Sequence, residues 1–213
     1  YQPVKESEPP AVSRFLSGSN WARRPLDSFI ERRLRSEGLE PAPEAERGTW
    51  LRRVSYGVTG LPPTSAELAA FLDDRSPRAY ERVVDELIAS PHYGEKWARH
   101  WLDLVRYGET RGHEFDYLIP NAFEYRDYPT RAFNDDVPYD RFVIEHIAGD
   151  LVEEPRIHPT EGYDESVIGT GFWHLGDEVH SPVDIKGDES DRVSNQIEVF
   201  TRTFLAMSVS CAR

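Results

Sequence analysis

The sequence predicts a mainly α fold: a multi-helix globular domain with long polar loops and at most a minor strand component. Apolar residues recur at spacings of three and four from Pro25 onward, the period of a helix with one buried face. Sixteen prolines and fourteen glycines divide the 213 residues into many short elements. No set of alternating segments supports a large sheet. With 38% hydrophobic and 12% aromatic residues the chain can build a core, which excludes a disordered polypeptide.

Residues 1–20, with Pro3, Pro9 and Pro10 and no periodicity, read as a linker or extended arm. Residues 21–213 then form a single helical domain, divisible into a scaffold at 21–110 and an acidic polar half at 111–213. Pro25 suits a first helical turn and Gly38 a stop, with Leu26, Phe29, Ile30 and Leu34 on one stripe. A second helix, near 44–58, aligns Trp50, Leu51, Val54 and Val58. Thr64 and Glu67 have the capping-box spacing, and Leu68, Phe71 and Leu72 make the helix behind them amphipathic.

Ser76-Pro77 opens a helix carrying Tyr80, Val83, Val84, Leu87 and Ile88, and Ser90-Pro91 ends it while capping the next. That one, near 92–107, aligns Tyr93, Trp97, Trp101 and Leu104 as a core stripe, with His100 a packed or surface histidine. Pro129 is expected to interrupt the helix that would run to Phe133. Pro138 opens another, with Tyr139, Phe142, Val143, Ile147 and Leu151 facing inward. Loops follow at 153–165 and 176–187, and 167–173 between them suits a buried helix or a short strand. The last element carries a seam of Val193, Ile197, Phe200, Phe204, Met207 and Cys211, with deep burial expected near its end, while Asp188, Asp191 and Asn195 share the other side.

The formal net charge is −13. Residues 109–213 hold 22 Asp and Glu against 9 Lys and Arg, a difference of −13, so the whole excess lies in the second half. Such a field repels nucleic acid and suits cations, neutral sugars or a basic partner; solubility alone is the competing explanation. Cys211 is the single cysteine, so no disulfide forms within the chain. No apolar run reaches the ~20 residues of a membrane span. Starting at Tyr1 without a signal-like segment, the chain reads as an internal fragment.

Two constellations could carry chemistry. His113, Glu114, Asp116, Tyr125 and Arg126 could supply acid, base and anion clamp as a catalytic set, with Asn121 and Asp127 beside them. The competing reading is a buried polar network that holds a loop. His180, Asp184, Asp188 and Asp191, spaced four, four and three, could ligate a divalent metal, although acids at a helix start also satisfy the helix dipole. His174, beside Trp173, reads as structural.

Several strings resemble the domain of unknown function that follows the planctomycete-type cytochrome c domain. They are Arg24-Pro25-Leu26-Asp27-Ser28-Phe29-Ile30, Thr59-Gly60-Leu61-Pro62-Pro63-Thr64, Tyr93-Gly94-Glu95-Lys96-Trp97-Ala98-Arg99-His100-Trp101-Leu102-Asp103, Tyr125-Arg126-Asp127-Tyr128, Pro138-Tyr139-Asp140-Arg141-Phe142 and Ala148-Gly149-Asp150. Val58, Tyr56-Gly57 and Pro129 depart from the family's usual residues. Cys211-Ala212-Arg213 resembles the start of a Cys-Ala-Arg-Cys-His string, half of a c-type haem attachment motif.

The resemblance implies haem c in the full-length protein, bound with the help of Cys211, and a periplasmic or extracellular location. It also implies an upstream cytochrome c domain and a C-terminal domain in the same polypeptide. The expected function is electron transfer or oxidoreductase activity connected with polysaccharide catabolism. A metal-dependent hydrolase or lyase acting on carbohydrate, and a carbohydrate-binding or interaction module, are the alternatives.

Overall fold

The computed structural model describes residues 2–3, 5–10, 21–113 and 115–209. Among these the fold is mainly α, as expected, with nine α-helices and no strand pairing beyond two isolated bridges, Thr110 with Leu118 and Ile157 with Asp164. The chain divides into two compact units, Tyr1–Glu46 and Arg47–Arg213. Most of the arm expected at 1–20 lies outside the described residues.

The first unit contains α1 (Pro25–Ser36). Its start is fixed by Asp27, whose carboxylate accepts from the backbone amides of Arg24 and Arg23, both at 2.9 Å. Those amide hydrogen bonds, Arg24 first, hold the Asp27 carboxyl below its usual range. Gly38, at φ +68°, ends the helix turn as expected. Leu26 and Ile30 of the predicted stripe remain exposed, whereas Glu31 is buried and paired with Arg35.

The second unit opens with α2 (Arg47–Val58), α3 (Ser65–Asp73) and α4 (Ala79–Ile88), which enclose Leu51, Phe71 and Ala79. The predicted capping box forms: the Thr64 hydroxyl accepts from the Glu67 amide at 3.2 Å, and the Glu67 carboxylate accepts from the Thr64 amide at 2.6 Å. Arg47 lies over the Phe71 ring, 4.0 Å from its centroid, and donates to the Asp74 carbonyl at 2.8 Å. This cation therefore ties α2 to the end of α3.

The larger core joins α5 (Pro91–Leu104), α6 (Ala122–Asn134) and α7 (Tyr139–Ala148) to the short α8 (Glu165–Ile168), the 3-10 segment Gly169–His174 and α9 (Ile185–Leu205). Trp101, Val105, Tyr125, Tyr128, Ala132, Phe142, Phe172 and Leu175 form it. Ser90 caps α5 as predicted, accepting from the His92 amide at 3.4 Å. The buried stripe of α5 is Gly94, Ala98 and Trp101 rather than the large aromatics alone; Trp97 and Leu104 stay exposed. A Cβ on Gly94 would collide with the Thr130 carbonyl oxygen, so glycine lets α5 and α6 cross closely.

Four local expectations are corrected or decided. Helix α6 runs straight through Pro129: the proline removes one amide donor, but its ring is buried on the face that also buries Tyr125, Tyr128 and Ala132. Helix α7 turns Phe142, Glu145 and His146 inward and leaves Tyr139, Ile147 and the following Leu151 exposed. Residues 165–174 are helical, not extended. Helix α9 stops at Leu205, where Ala206 adopts φ +52° and the Met207 amide closes onto the Thr201 carbonyl at 3.1 Å. It has no fully buried residue; only Val199, Phe200 and Phe204 of its apolar residues pack on the core, and Val193 and Ile197 remain exposed.

The inward polar residues of α7 are fully engaged. Glu145 accepts from the Tyr128 hydroxyl at 2.7 Å, from Ser166 at 3.0 Å, from Arg141 at 2.9 Å and from two nitrogens of Arg156 at 2.9 and 3.0 Å. Arg156 extends to Glu165 at 3.1 Å, and Glu165 pairs with Arg131. Burial alone would push the Glu145 carboxyl up. The bonds from Arg156, Tyr128 and Arg141 outweigh it and hold the group down at about 2.

His146 donates from Nδ1 to the Phe142 carbonyl at 2.7 Å, which fixes its neutral tautomer. Its Nε2 then accepts from the Tyr125 hydroxyl at 3.0 Å and from the Trp101 indole at 3.1 Å. Burial depresses its pKa to about 4. The network welds α5, α6, α7 and α8 into the platform from which the loops of the site emerge.

Candidate functional site

Two loops leave this platform and meet. The first begins where α5 ends: Arg106 takes φ +53°, and the Tyr107 amide bonds back to the Leu102 carbonyl at 2.9 Å. Residues 109–119 then form a narrow excursion, closed by the Arg111 amide on the Tyr117 carbonyl at 2.7 Å and the Ile119 amide on the Glu109 carbonyl at 2.8 Å. Its tip is locked by Asp116, whose carboxylate accepts from the Gly112 amide at 3.0 Å while its own amide donates to the Gly112 carbonyl at 3.1 Å. His113 and Asp116 both hold positive φ, +58° and +45°. Non-glycine residues in that region carry strain, which is commonest at functional loops.

The second loop follows the 3-10 segment and is anchored by buried Leu175. The Glu178 amide donates to the Arg111 carbonyl at 3.1 Å, the Glu178 and Arg111 side chains pair at 3.2 Å, and Arg111 also donates to the His174 carbonyl at 2.8 Å. Gly176, at φ +109°, lies against the Arg106 guanidinium so closely that a Cβ would strike it. A Cβ on Gly112 would stand 2.8 Å from a carboxylate oxygen of Asp177. On both sides a glycine thus lets a charged side chain pack directly against bare backbone.

The first turns of α9 supply the third wall. Asp184 caps this helix, accepting from the Gly187 amide at 2.9 Å, and Gln196 donates to the Trp173 carbonyl at 2.7 Å. Between the three walls lies a cleft of about 530 Å³. Its lining mixes cations (Arg106, Arg111, Arg192) with Asp177, Glu178, Asp188 and Asp191, the amides Asn195 and Gln196, His113 and Trp173. Arg106 is half-buried, and its Nε has no hydrogen-bond partner among the described residues. Burial lowers its pKa, while the charge of Asp177 opposes the shift.

The predicted residues are distributed unevenly. His113, Asp188 and Asp191 line the cleft, and Asn195 joins the two aspartates as its helical spacing predicted. Asp116 shapes the tip next to it. His180 packs its ring against Phe115 and Tyr117, with centroids 5.4 and 4.7 Å away. His174, read as structural, contributes to the lining.

The structure does not bring two members of the proposed catalytic set to the cleft. Tyr125 is 4% exposed inside the core, where burial raises its pKa, so it cannot reach a ligand in the cleft. Arg126 does not line the cleft; it pairs with Asp127 at 2.9 Å and Glu109 at 3.0 Å. Glu114 and Cys211 lie outside the described residues. Among the described residues no three His, Cys, Asp or Glu side chains are grouped to hold a metal ion, and Asp184 is engaged as a helix cap.

Sequence reading missed Arg106, Trp173, Asp177 and Glu178 as lining residues. Arg106 sits at the end of a regular helix with nothing local to mark it. Asp177 and Glu178 are two acids among many, and only the pairing of the two loops singles them out.

No helix of the described residues is long and apolar enough to cross a membrane. No curated protein and no solved structure matches the chain. One family model does, over residues 25–213, which take in α1 and the whole of the second unit. The chain therefore belongs to the PSCyt2 family, described as a protein of unknown function (DUF1549).

Proposed function

We propose that this chain is the ligand-recognition module of an extracytoplasmic, c-type-cytochrome-linked protein. Electron transfer or oxidoreductase activity connected with polysaccharide catabolism is its wider setting. The family name is consistent with the planctomycete cytochrome-associated domain that the sequence resembles. The observation that carries the recognition role is the closing of one polar cleft by two loops some sixty residues apart in sequence, both rooted in a rigid core. Charged, amide and aromatic groups converge there, as recognition of a polar small ligand requires.

Redox chemistry would come from haem c bound through Cys211 and residues that follow Arg213, with the upstream cytochrome domain and a C-terminal domain as partners in the same polypeptide. In a polypeptide extended past Arg213 and matured with haem-attachment machinery, absorbance of a covalently bound haem is expected, and Cys211→Ala should lower its covalent yield and shift its absorbance, because one of the two thioether bonds of such a motif is lost. A polypeptide without that absorbance overturns the cytochrome link.

A metal-dependent hydrolase or lyase is the alternative reading: His113, Asp188 and Asp191 line the same cleft, although as placed they are not grouped closely enough to hold an ion together. Metal analysis of purified protein separates the two. A metal content unchanged by His180→Ala and by Asp188→Asn removes the proposed metal site.

A further inference from the structure

Next to the cleft, on the same two loops, is an aromatic face that core packing does not explain. Phe115 is 60% exposed and Tyr117 is 49% exposed. Their rings lie 5.9 Å apart and tilted by 28°, close to stacked, and His180 closes the group from the second loop. Holding two large rings out in water forgoes the burial that would normally stabilise them. The tip also holds strained backbone at His113 and Asp116, and the hydrogen bonds of Asp116 to Gly112 keep it in shape. A preformed aromatic surface of this kind binds a ligand with a flat apolar face and little rearrangement.

The surroundings narrow the ligand class. Asp116 lies on the tip itself, and Asp177, Glu178, Asp188 and Asp191 lie on the adjoining loop and helix. All of them belong to the half of the chain that carries the whole excess of acid. A carboxylated or sulfated ligand would meet this field unfavourably. A flat basic ligand would suit the field, but Arg106, Arg111 and Arg192 stand in the cleft it would enter. A neutral pyranose satisfies both conditions: its C–H face stacks on aromatic rings, and its hydroxyls both donate to carboxylates and accept from guanidinium and amide groups.

We infer that Phe115, Tyr117 and His180 form a docking face for neutral polysaccharide, feeding one sugar unit toward the cleft lined by His113, Trp173 and Gln196. This deepens the recognition role proposed above and rests on it, and it needs no haem. The ligand class is set by the stacking surface together with the charge around it.

The test is calorimetric titration of the chain with cellohexaose, mannohexaose and xylohexaose, against oligogalacturonate and a sulfated galactan oligosaccharide of the same length. At least one neutral hexaose is expected to bind, and the anionic ones to bind at least about tenfold more weakly or not at all. Phe115→Ala and Tyr117→Ala should each weaken the neutral ligand by about tenfold or more while leaving the melting temperature unchanged, because both rings are exposed. Tyr139→Ala, a similarly exposed ring on α7, should change nothing. Failure of every neutral hexaose, equal or tighter binding of an anionic one, or affinity unaltered in both ring variants would overturn the assignment. The haem measurement on the longer polypeptide is independent of these outcomes, so loss of the docking face and loss of the cytochrome link are told apart.

Discussion

Removing the Glu145 side chain is the sharpest test of what holds the platform under the site. In Glu145→Ala, Arg156 loses all three of its bonds to the carboxylate, Arg141 loses its bond at 2.9 Å, and the Tyr128 and Ser166 hydroxyls lose their acceptor. Glu145 and Tyr128 are fully buried, so water cannot replace these partners without opening the core. Breaking one member of such a network leaves uncompensated charge and costs about 3–5 kcal/mol. For a unit of this size that is a fall in melting temperature of roughly 6–20 °C.

The control is Glu109→Ala, which removes only the exposed ion pair with Arg126 and the bond from the Tyr107 hydroxyl. Exposed pairs contribute about 0–1 kcal/mol, so this variant should melt within a few degrees of the parent, roughly 0–4 °C. Differential scanning calorimetry at neutral pH compares the two. If Glu145→Ala and Glu109→Ala shift the transition equally, the buried network does not stabilise the fold and the argument for a rigid platform fails.

Further outcomes follow from the same geometry. His146 is buried neutral with its pKa lowered from 6.5 to about 4, so the unfolded chain binds more protons between those values. Stability is then full above pH 6.5 and declines as the pH falls toward 4, by about 3 kcal/mol in all. Glu145 adds a separate loss in the same direction as the pH drops from 4.5 toward 2. Thermal melts from pH 7 to 4 should show the first decline in the parent, and it should flatten in a folded His146→Gln variant. Gly94→Ala drives a methyl group into the Thr130 carbonyl and the Asn134 side chain, and should destabilise by about 1–3 kcal/mol in a denaturant titration. Thr64→Ala removes a capping hydroxyl and should cost about 1 kcal/mol by the same measurement. Gly176→Ala should displace Arg106 and alter ligand affinity at the cleft more than Gly162→Ala, which occupies a positive φ in open space; equal effects would refute the close approach.

The candidate site was only partly legible. Helical spacing correctly grouped Asp188, Asp191 and Asn195, because residues three and four apart share a face whatever packs nearby. It placed Tyr125 and Arg126 with His113 because they are close in sequence. In the structure one is directed into the core and the other outward, since consecutive residues on α6 point about 100° apart. The network of Glu145, Arg156 and Glu165 left no trace in hydropathy, because charged residues look solvent-exposed until their partners are known.

The sequence by itself determined several of the helix boundaries. Asp27, Thr64, Ser90 and Gly38 act on backbone groups within a few residues, and such local contacts form irrespective of the rest of the chain. The continuity of α6 through Pro129, the face that α7 buries and the meeting of the 112–117 and 175–180 loops were decided by tertiary structure. Each depends on partners tens of residues away, whose burial outweighs a missing amide bond in one case and a favourable apolar pattern in another.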